Sequence, residues 1–491
     1  MIRRLSSTSS PCLVRLRNNS CVAVRTHRVI SVPTNSPNRH IPLTVVDWHL
    51  QREQLPFGYF FNETLDETLL EDSLIRALAH FPQTGGVINT NRGSIQCGDT
   101  DTVQLSFGRV NRTLEEWNNK SRGHFHQSGK KPELLPIFDA LFEHQPFNLA
   151  CDEQDCQALL KIRITYFDGG GTAIGVNFSH LLGDTSTCFH LVRTWGRLMR
   201  QKTLKDHAYC DNRANATVGG MLTQDVVEMM TPPVAGSEQN QGSSLSEYLP
   251  QSIQQFWSGK DIPQESIEAP TDHEYVQLHF SKNLLNVMKT TGMENSKPGS
   301  FVSTNDMITA FGWLLKRKLA DRPTHSISMV VNLRGKFDVH KRMFGNGLAH
   351  VVAKLPKSLA MTIDVTDVCS AANSIRDALQ ADVLKFPDRL LDSRRGCPTS
   401  SENCGLPSFS TTSWGQFPLW KIRFGAENMA HFHGQPSHPL PIGRTFSSVI
   451  LSDGQGGYVY DLLLPSDKAS EAQALHDGLA QLFLAKGEFS R

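Results

Sequence analysis

His180 and Asp184 stand four residues apart in the run GTAIGVNFSHLLGDTSTCFH (171–190), and they are the pair in this chain best placed to move a proton. Imidazole takes up and releases a proton near neutral pH, which suits it to general base work. The acid four residues on could orient the ring, or it could brace the loop that carries it. The spacing alone does not decide. His207 and Asp211 repeat it in LKDHAYCDNRAN, a polar run with no apolar strand leading into it, and a histidine at an apolar boundary can also be a core residue satisfied by its neighbours. His431, His433 and His438 form an H-x-H-x4-H cluster that could hold a metal ion, although the polar surroundings near Pro436 read more simply as a loop. The ten cysteines include no C-x-x-C pair, so they give neither zinc-ligand spacing nor a dithiol motif.

The elements around His180 are legible. Leu160, Ile162, Ile164 and Tyr166 alternate with polar residues, the period of a half-buried strand. Asp168-Gly169-Gly170-Gly171 supplies a hairpin turn. The return strand, from Ala173 to Phe178, carries no charge and reads as central. After Asp184, Cys188, Val192, Trp195 and Met199 fall at helical spacing. The histidine therefore sits in a loop between strand and helix, where its backbone is fixed and its ring can face a cleft.

Further out, Glu63 to Phe81 reads as an amphipathic helix stopped by Pro82 to Gly86. Asn212 to Gln254 is rich in Gly, Ser, Gln, Asn and Pro and reads as a crossover. Beyond it strands alternate with helices again: a strand from Tyr275 to Ser281 leading into a helix from Lys282 to Thr290, a helix from Ser303 to Lys318, strands at Ser326–Leu333 and Leu348–Leu355, a helix from Val365 to Leu384, strand-like Phe409 to Phe424, paired strands at Phe446–Leu451 and Tyr458–Leu464, and a closing helix from Lys468 to Leu484. This order predicts an α/β protein of two similar layers with a cleft between them. We divide the chain into a tail (1–27), an N-terminal domain (28–211), a crossover (212–265) and a C-terminal domain (266–491).

At 491 residues, two domains are the prior. A net charge of +1 implies no nucleic-acid partner, and no run approaches the ~18 apolar residues of a membrane span. Scattered cysteines point to a reducing, intracellular setting. From Met1 to Val46 there is no acid, while Arg3, Arg4, Arg15, Arg17, Arg25, Arg28 and Arg39 recur among serines and threonines. That composition suits an organellar transit peptide or a disordered basic tail, and no apolar core of a secretory signal follows Arg3-Arg4. The expected location is cytoplasmic or organellar.

Several blocks together resemble the BAHD family of CoA-dependent acyltransferases. They are VPTNSPNRHIPLTVVD, LLEDSLIRALAHFPQTGG, SHLLGD, FVSTNDMITAFGW, VVNLRGK, MFGNG, TTSWGQFPLW and SDGQGGYVYDLLL, in the family's order. The resemblance implies two chloramphenicol-acetyltransferase-like domains with a central solvent channel, and a monomer. It implies direct transfer from acyl-CoA, the co-substrate, to the hydroxyl or amine of a small-molecule acceptor, with His180 as base, no acyl-enzyme and no bound cofactor or metal. It further implies that Asp184 turns away from the substrate to pair with Arg334, and that Trp414 and Thr412 lie near the developing oxyanion. By neighbourhood, Ser303 and Lys336 are candidate CoA contacts, and Arg394-Arg395 a candidate grip for an anionic acceptor.

The chain also departs from the family. The second signature, Asp-Phe-Gly-Trp-Gly, is replaced by Arg423-Phe424-Gly425-Ala426-Glu427. The residue after Asp184 is Thr185 where glycine is usual, and it could stiffen the turn or cap the helix. Two other functions remain open on the same residues. A condensation-type acyltransferase usually shows a second histidine where this chain has Ser179, and a non-catalytic binding protein is suggested by the altered second signature.

Overall fold

The computed structural model describes residues 13–14, 22–33, 39–43, 47, 54–89, 94–117, 158–202, 273–319, 325–335, 340–356, 363–383, 409–434 and 446–489. In chain order the first half contains β1 (Leu13–Val14), β2 (Val22–Ser31), β3 (Arg39–Pro42), β4 (Gln54–Phe61), α1 (Glu67–Leu78), β5 (Val87–Asn89), β6 (Ser94–Cys97), β7 (Thr102–Val110), β8 (Leu160–Phe167), β9 (Thr172–Ser179) and α2 (Thr185–Met199). The second half contains β10 (His273–Phe280), α3 (Lys282–Glu294), α4 (Thr304–Leu319), β11 (Ser326–Asn332), β12 (Leu348–Lys354), α5 (Val365–Val383), β13 (Phe409–Ser413), β14 (His431–Gly434), β15 (Phe446–Ser452), β16 (Tyr458–Pro465) and α6 (Ala469–Phe489). The fold is mixed α/β. Among the described residues one sheet runs β1-β2-β7-β8-β9-β4-β14 and another β10-β16-β15-β13-β11-β12, with a small sheet β3-β6-β5.

β8 and β9 form the antiparallel hairpin that the glycine run requires: Gly169, Gly170 and Gly171 take φ of +75°, +109° and +100°, a region closed to most side chains. β9 lies between β8 and β4, and all eight of its residues are buried, which accounts for its lack of charge. α1 opens on Asp66, whose carboxylate accepts from Leu69 N. It packs on α2 through Trp195, whose indole N–H donates to Leu70 O and Ser73 Oγ, both at 3.0 Å.

Each large sheet has its own apolar core. The first core also takes in Phe344, Trp414, Leu419, Ile422, Phe424, Met429, Phe432 and Val449 from the second half of the chain. β14 completes this exchange by pairing with β4, His431 opposite Phe60. The segment from Trp414 to Gly434 therefore serves the N-terminal sheet, which a division of the chain at 266 does not convey. The crossover expected at 212–265 lies outside the described residues.

Two expectations change here. The strand-like run from Phe409 ends at Ser413 and gives way to a turn and a short 3-10 helix, Leu419–Lys421. The basic tail is also shorter than its composition implied: β2 begins at Val22 and pairs with β7 from Val22 opposite Val110 to Ser31 opposite Thr102, with an irregularity between Val24 and Thr26. Arg28 counted toward a targeting composition, but its guanidinium pairs with Glu67 at 2.6 Å and with Glu71, and lies 4.9 Å from the centroid of the Phe107 ring. No helix among the described residues is long and apolar enough to cross a membrane.

Candidate active site

His180 follows the last residue of β9. The strand holds Ser179 through Ser179 N to Leu159 O (2.9 Å), and the chain turns at once, with Leu182 N donating to Ser179 O (3.0 Å). Two residues further on, Asp184 caps α2, with φ −85° and ψ 178°. Thr185 is therefore the first residue of the helix and not its cap.

Both carboxylate oxygens of Asp184 are committed away from the ring. Oδ1 accepts from Thr187 N (3.0 Å) and Thr187 Oγ1 (3.2 Å), and Oδ2 accepts from Arg334 Nη1 (2.6 Å) and Gly347 N (3.0 Å). Arg334 donates also to Met343 O (3.0 Å), Gly345 O (2.7 Å) and Thr187 Oγ1 (3.1 Å). The side chains of the pair are 5% and 9% exposed, so the charges attract in a poorly screened setting. Burial pushes the Asp184 carboxyl up, but the Arg334 charge and hydrogen bond, the Thr187 N–H and His180 outweigh it and hold the acid below the usual carboxylate range. The predicted Asp184–Arg334 pair is thus present, and Asp184 braces the loop.

The ring of His180 has a different partner. Its Nδ1 lies 3.1 Å from Asn346 Oδ1, and the Asn346 amide nitrogen donates to His180 O and to Asp47 Oδ1, both at 2.7 Å. Burial lowers the His180 pKa below its ordinary 6.5, against the opposing effects of a hydrogen bond to its own backbone, the Asp184 charge, Asn346 and Asp47. The imidazole is therefore neutral at pH 7. Sequence reasoning quoted the blocks containing Asp47 and Asn346 but assigned neither a role. The available signal was an acid closing the apolar run Val45-Val46, since a fully buried carboxylate must be paired.

Trp414 follows β13 and is buried in the first core, with Leu181 and Leu182 among its members. Its ring meets Phe57 edge-on at 5.4 Å, and Phe57 sits opposite Val176 on the strand that delivers His180. Thr412 is two residues earlier on β13, on the same face, opposite Val449. Thr411 faces the other core, where the Tyr460 hydroxyl reaches its Oγ1 at 3.4 Å. The Ser303 hydroxyl is engaged at the start of α4: it accepts from Asp306 N (3.2 Å) and Arg376 Nη2 (3.1 Å), while Ser303 N donates to Asp306 Oδ2 (2.7 Å). That is a capping box reinforced by an arginine. Lys336, Arg394, Arg395, His207 and Asp211 lie outside the described residues. His431 and His433 belong to strand β14 and not to a polar loop, and His438 lies outside the described residues. Among the described residues no three His, Cys, Asp or Glu side chains come together as a metal site.

A model of the family described as Transferase matches residues 21–442. The chain belongs to this transferase family, the BAHD acyltransferases. Shikimate O-hydroxycinnamoyltransferase of Nicotiana tabacum is 20% identical over 82% of this chain and 88% of its own length. Vinorine synthase of Rauvolfia serpentina is 27% identical over 35% of this chain and 40% of its own length. The vinorine synthase crystal structure superposes with a TM-score of 0.59 at 17% identity, covering 91% of this chain and 96% of that one. F. sporotrichioides TRI101 complexed with coenzyme A and T-2 gives a TM-score of 0.59 at 15% identity, covering 89% and 97%. At these identities the structural matches establish the fold. The family match, with its curated relatives, makes the protein an acyltransferase.

Proposed function

We propose that this BAHD protein moves an acyl group from a CoA thioester directly to a hydroxyl or amine of a small-molecule acceptor, with His180 as general base. The observation that carries the reading is the environment of the ring. Nδ1 faces the Asn346 oxygen, burial keeps the imidazole neutral, and Asp184 is tied to Arg334. Nε2 is then the nitrogen that receives the acceptor's proton. As it leaves, the acceptor oxygen or nitrogen attacks the thioester carbonyl carbon. The tetrahedral oxyanion collapses with cleavage of the C–S bond, and the imidazolium returns a proton to the departing CoA thiolate. Trp414 and Thr412 are assigned to the oxyanion, where such a donor contributes on the order of 3 kcal/mol.

No acyl-enzyme is invoked. The thiol that α2 carries, Cys188, has its pKa pushed well up, chiefly by burial and then by the Asp184 charge, which makes it a poor nucleophile. The two halves, 28–211 and 266–491, would enclose a channel reaching His180 from both sides, and Lys336 is assigned to CoA by its sequence neighbourhood alone. TRI101 complexed with coenzyme A on the same fold supports CoA as co-substrate here. The protein is read as an intracellular monomer that uses no metal or bound cofactor.

The test is release of CoA thiol from acetyl-, malonyl- or coumaroyl-CoA with a panel of alcohols and amines. Turnover with one pair is expected, and His180→Ala should lower it by roughly 10²–10⁴-fold, the range for a positioned acid–base group. Full turnover in that variant removes the mechanism. Binding of acyl-CoA without turnover of any acceptor would instead favour a non-catalytic binding role.

A further inference from the structure

Asp47 and Asn346 are 299 positions apart in the chain and are joined by a 2.7 Å hydrogen bond. The Asn346 amide nitrogen has two hydrogens. One goes to Asp47 Oδ1 and the other to the His180 carbonyl oxygen, each at 2.7 Å. A carboxylate and a carbonyl have no hydrogen to give in return. Turning the amide over would set its own oxygen against both of them. The orientation of an asparagine amide is ordinarily a matter of assignment; here the two acceptors dictate it. The Asn346 oxygen must therefore face His180 Nδ1, at 3.1 Å. That oxygen only accepts, so the neutral ring presents N–H at Nδ1 and keeps the lone pair on Nε2.

We propose that Asp47 is a positioning residue of the acyl transfer: acting through the Asn346 amide, it fixes His180 in the tautomer whose Nε2 is free to take the acceptor's proton. This rests on His180 being the base. The arrangement adds residues outside the His180–Asp184 motif to the hydrogen bond the ring makes with its own backbone, since both Asp184 oxygens are held by Thr187, Arg334 and Gly347. Without the Asp47 acceptor, the amide keeps only one of the two contacts that forbid its rotation. The turned amide offers N–H to Nδ1, and the proton then moves to Nε2, where it blocks the base.

The experiment uses the full chain labelled with ¹⁵N-histidine, and the His180 resonances are assigned by their loss in His180→Ala. Ring nitrogen shifts at pH 8 report the tautomer without reference to any substrate. The wild type should show a protonated Nδ1 and a bare Nε2. Asp47→Ala should mix the tautomers and lower kcat by roughly tenfold or more, with an upper bound near the ~10⁴-fold that a wrong tautomer costs a Ser–His–Asp enzyme. KM for acyl-CoA should hold. Asp47→Asn, which retains an oxygen acceptor, should restore the Nδ1–H form and most of kcat. A protonated Nε2 in the wild type overturns the proposal, as does a folded Asp47→Ala with unchanged tautomer and kcat. If Asp47→Ala does not fold, Asp47→Asn decides: a shift of its His180 proton to Nε2 with full kcat also overturns it. A tautomer that follows Asp47 while His180→Ala keeps full turnover instead removes His180 as base and leaves the orientation of the ring intact.

Discussion

Replacing Arg334 with methionine isolates the ion pair that holds the motif loop. The substitution keeps much of the apolar stem and deletes the donors to Asp184 Oδ2, Met343 O, Gly345 O and Thr187 Oγ1. Removing one partner of a buried pair costs about 3–5 kcal/mol, because the other charge is left uncompensated. Asp184 would retain Thr187 N, Thr187 Oγ1 and Gly347 N, which places the expected loss toward ~3 kcal/mol. At about 2–4 °C per kcal/mol for a large domain, the thermal midpoint should fall by roughly 6–12 °C.

The pH dependence supplies a sharper criterion. In the wild type the folded pKa of Asp184 is depressed, so its contribution is present above the unfolded value near ~3.9 and is lost as pH falls through the folded one. In Arg334→Met the raising effect of burial loses its chief opponent, and the folded pKa moves up. The native state then binds a proton more readily than the unfolded state, and acidification relieves the strain of the unpaired acid. The gap between wild type and variant should therefore narrow from pH 8 to pH 5 in urea or thermal unfolding. A gap under about 1 kcal/mol at pH 8, or one that widens on acidification, refutes the account of the pair.

Two other outcomes are expected. Because burial lowers the His180 pKa below 6.5 and only the neutral ring can act as base, kcat/KM should be flat from pH 7 upward and fall only below the ordinary histidine range; a limb above pH 7 would contradict this. A Cβ added at Gly196 would meet the Arg423 carbonyl oxygen at 2.2 Å, so Gly196→Ala should cost about 1–3 kcal/mol as overpacking against backbone. Unfolding midpoints check that, and unchanged stability would mean the 423–427 segment is free to move off α2.

What was legible in the sequence is local. The alternation of Leu160 to Tyr166, the glycine run and the uncharged return strand specify a hairpin without outside help, and the passage from strand through Ser179-His180 into a helix is read the same way; that Asp184 and not Thr185 caps that helix is seen only in the structure. The pair Asp184–Arg334 became nameable only through resemblance to a family. The link from Asp47 to Asn346 to His180 was not readable, because nothing in local spacing records which distant donor meets a buried acceptor. β2 was missed for a related reason. Its arginines look like a solvated, targeting composition until Glu67 and Glu71 of α1 are brought beside Arg28. The same holds for the segment from Trp414 to Phe432, whose apolar residues fit a strand of their own half but are spent in the core of the other.

The altered second signature fits this picture. Of its five positions the chain keeps two, Phe424 and Gly425, and these make the close contacts. Phe424 is buried, edge-on to Trp195 at 4.8 Å and to Phe61 at 5.4 Å. A Cβ at Gly425 would meet the Glu63 carboxylate at 2.2 Å. The three replaced positions, Arg423, Ala426 and Glu427, are exposed and contribute mainly backbone. The Arg423 carbonyl abuts Gly196, and the N–H groups of Ala426 and Glu427 donate to Glu63 at 3.2 and 3.0 Å. Backbone atoms are the same whatever side chain they carry. The segment can therefore lose its aspartate and tryptophan and still dock on the helix that Asp184 caps, so the departure from the signature is no structural argument for a scaffold that has stopped catalysing.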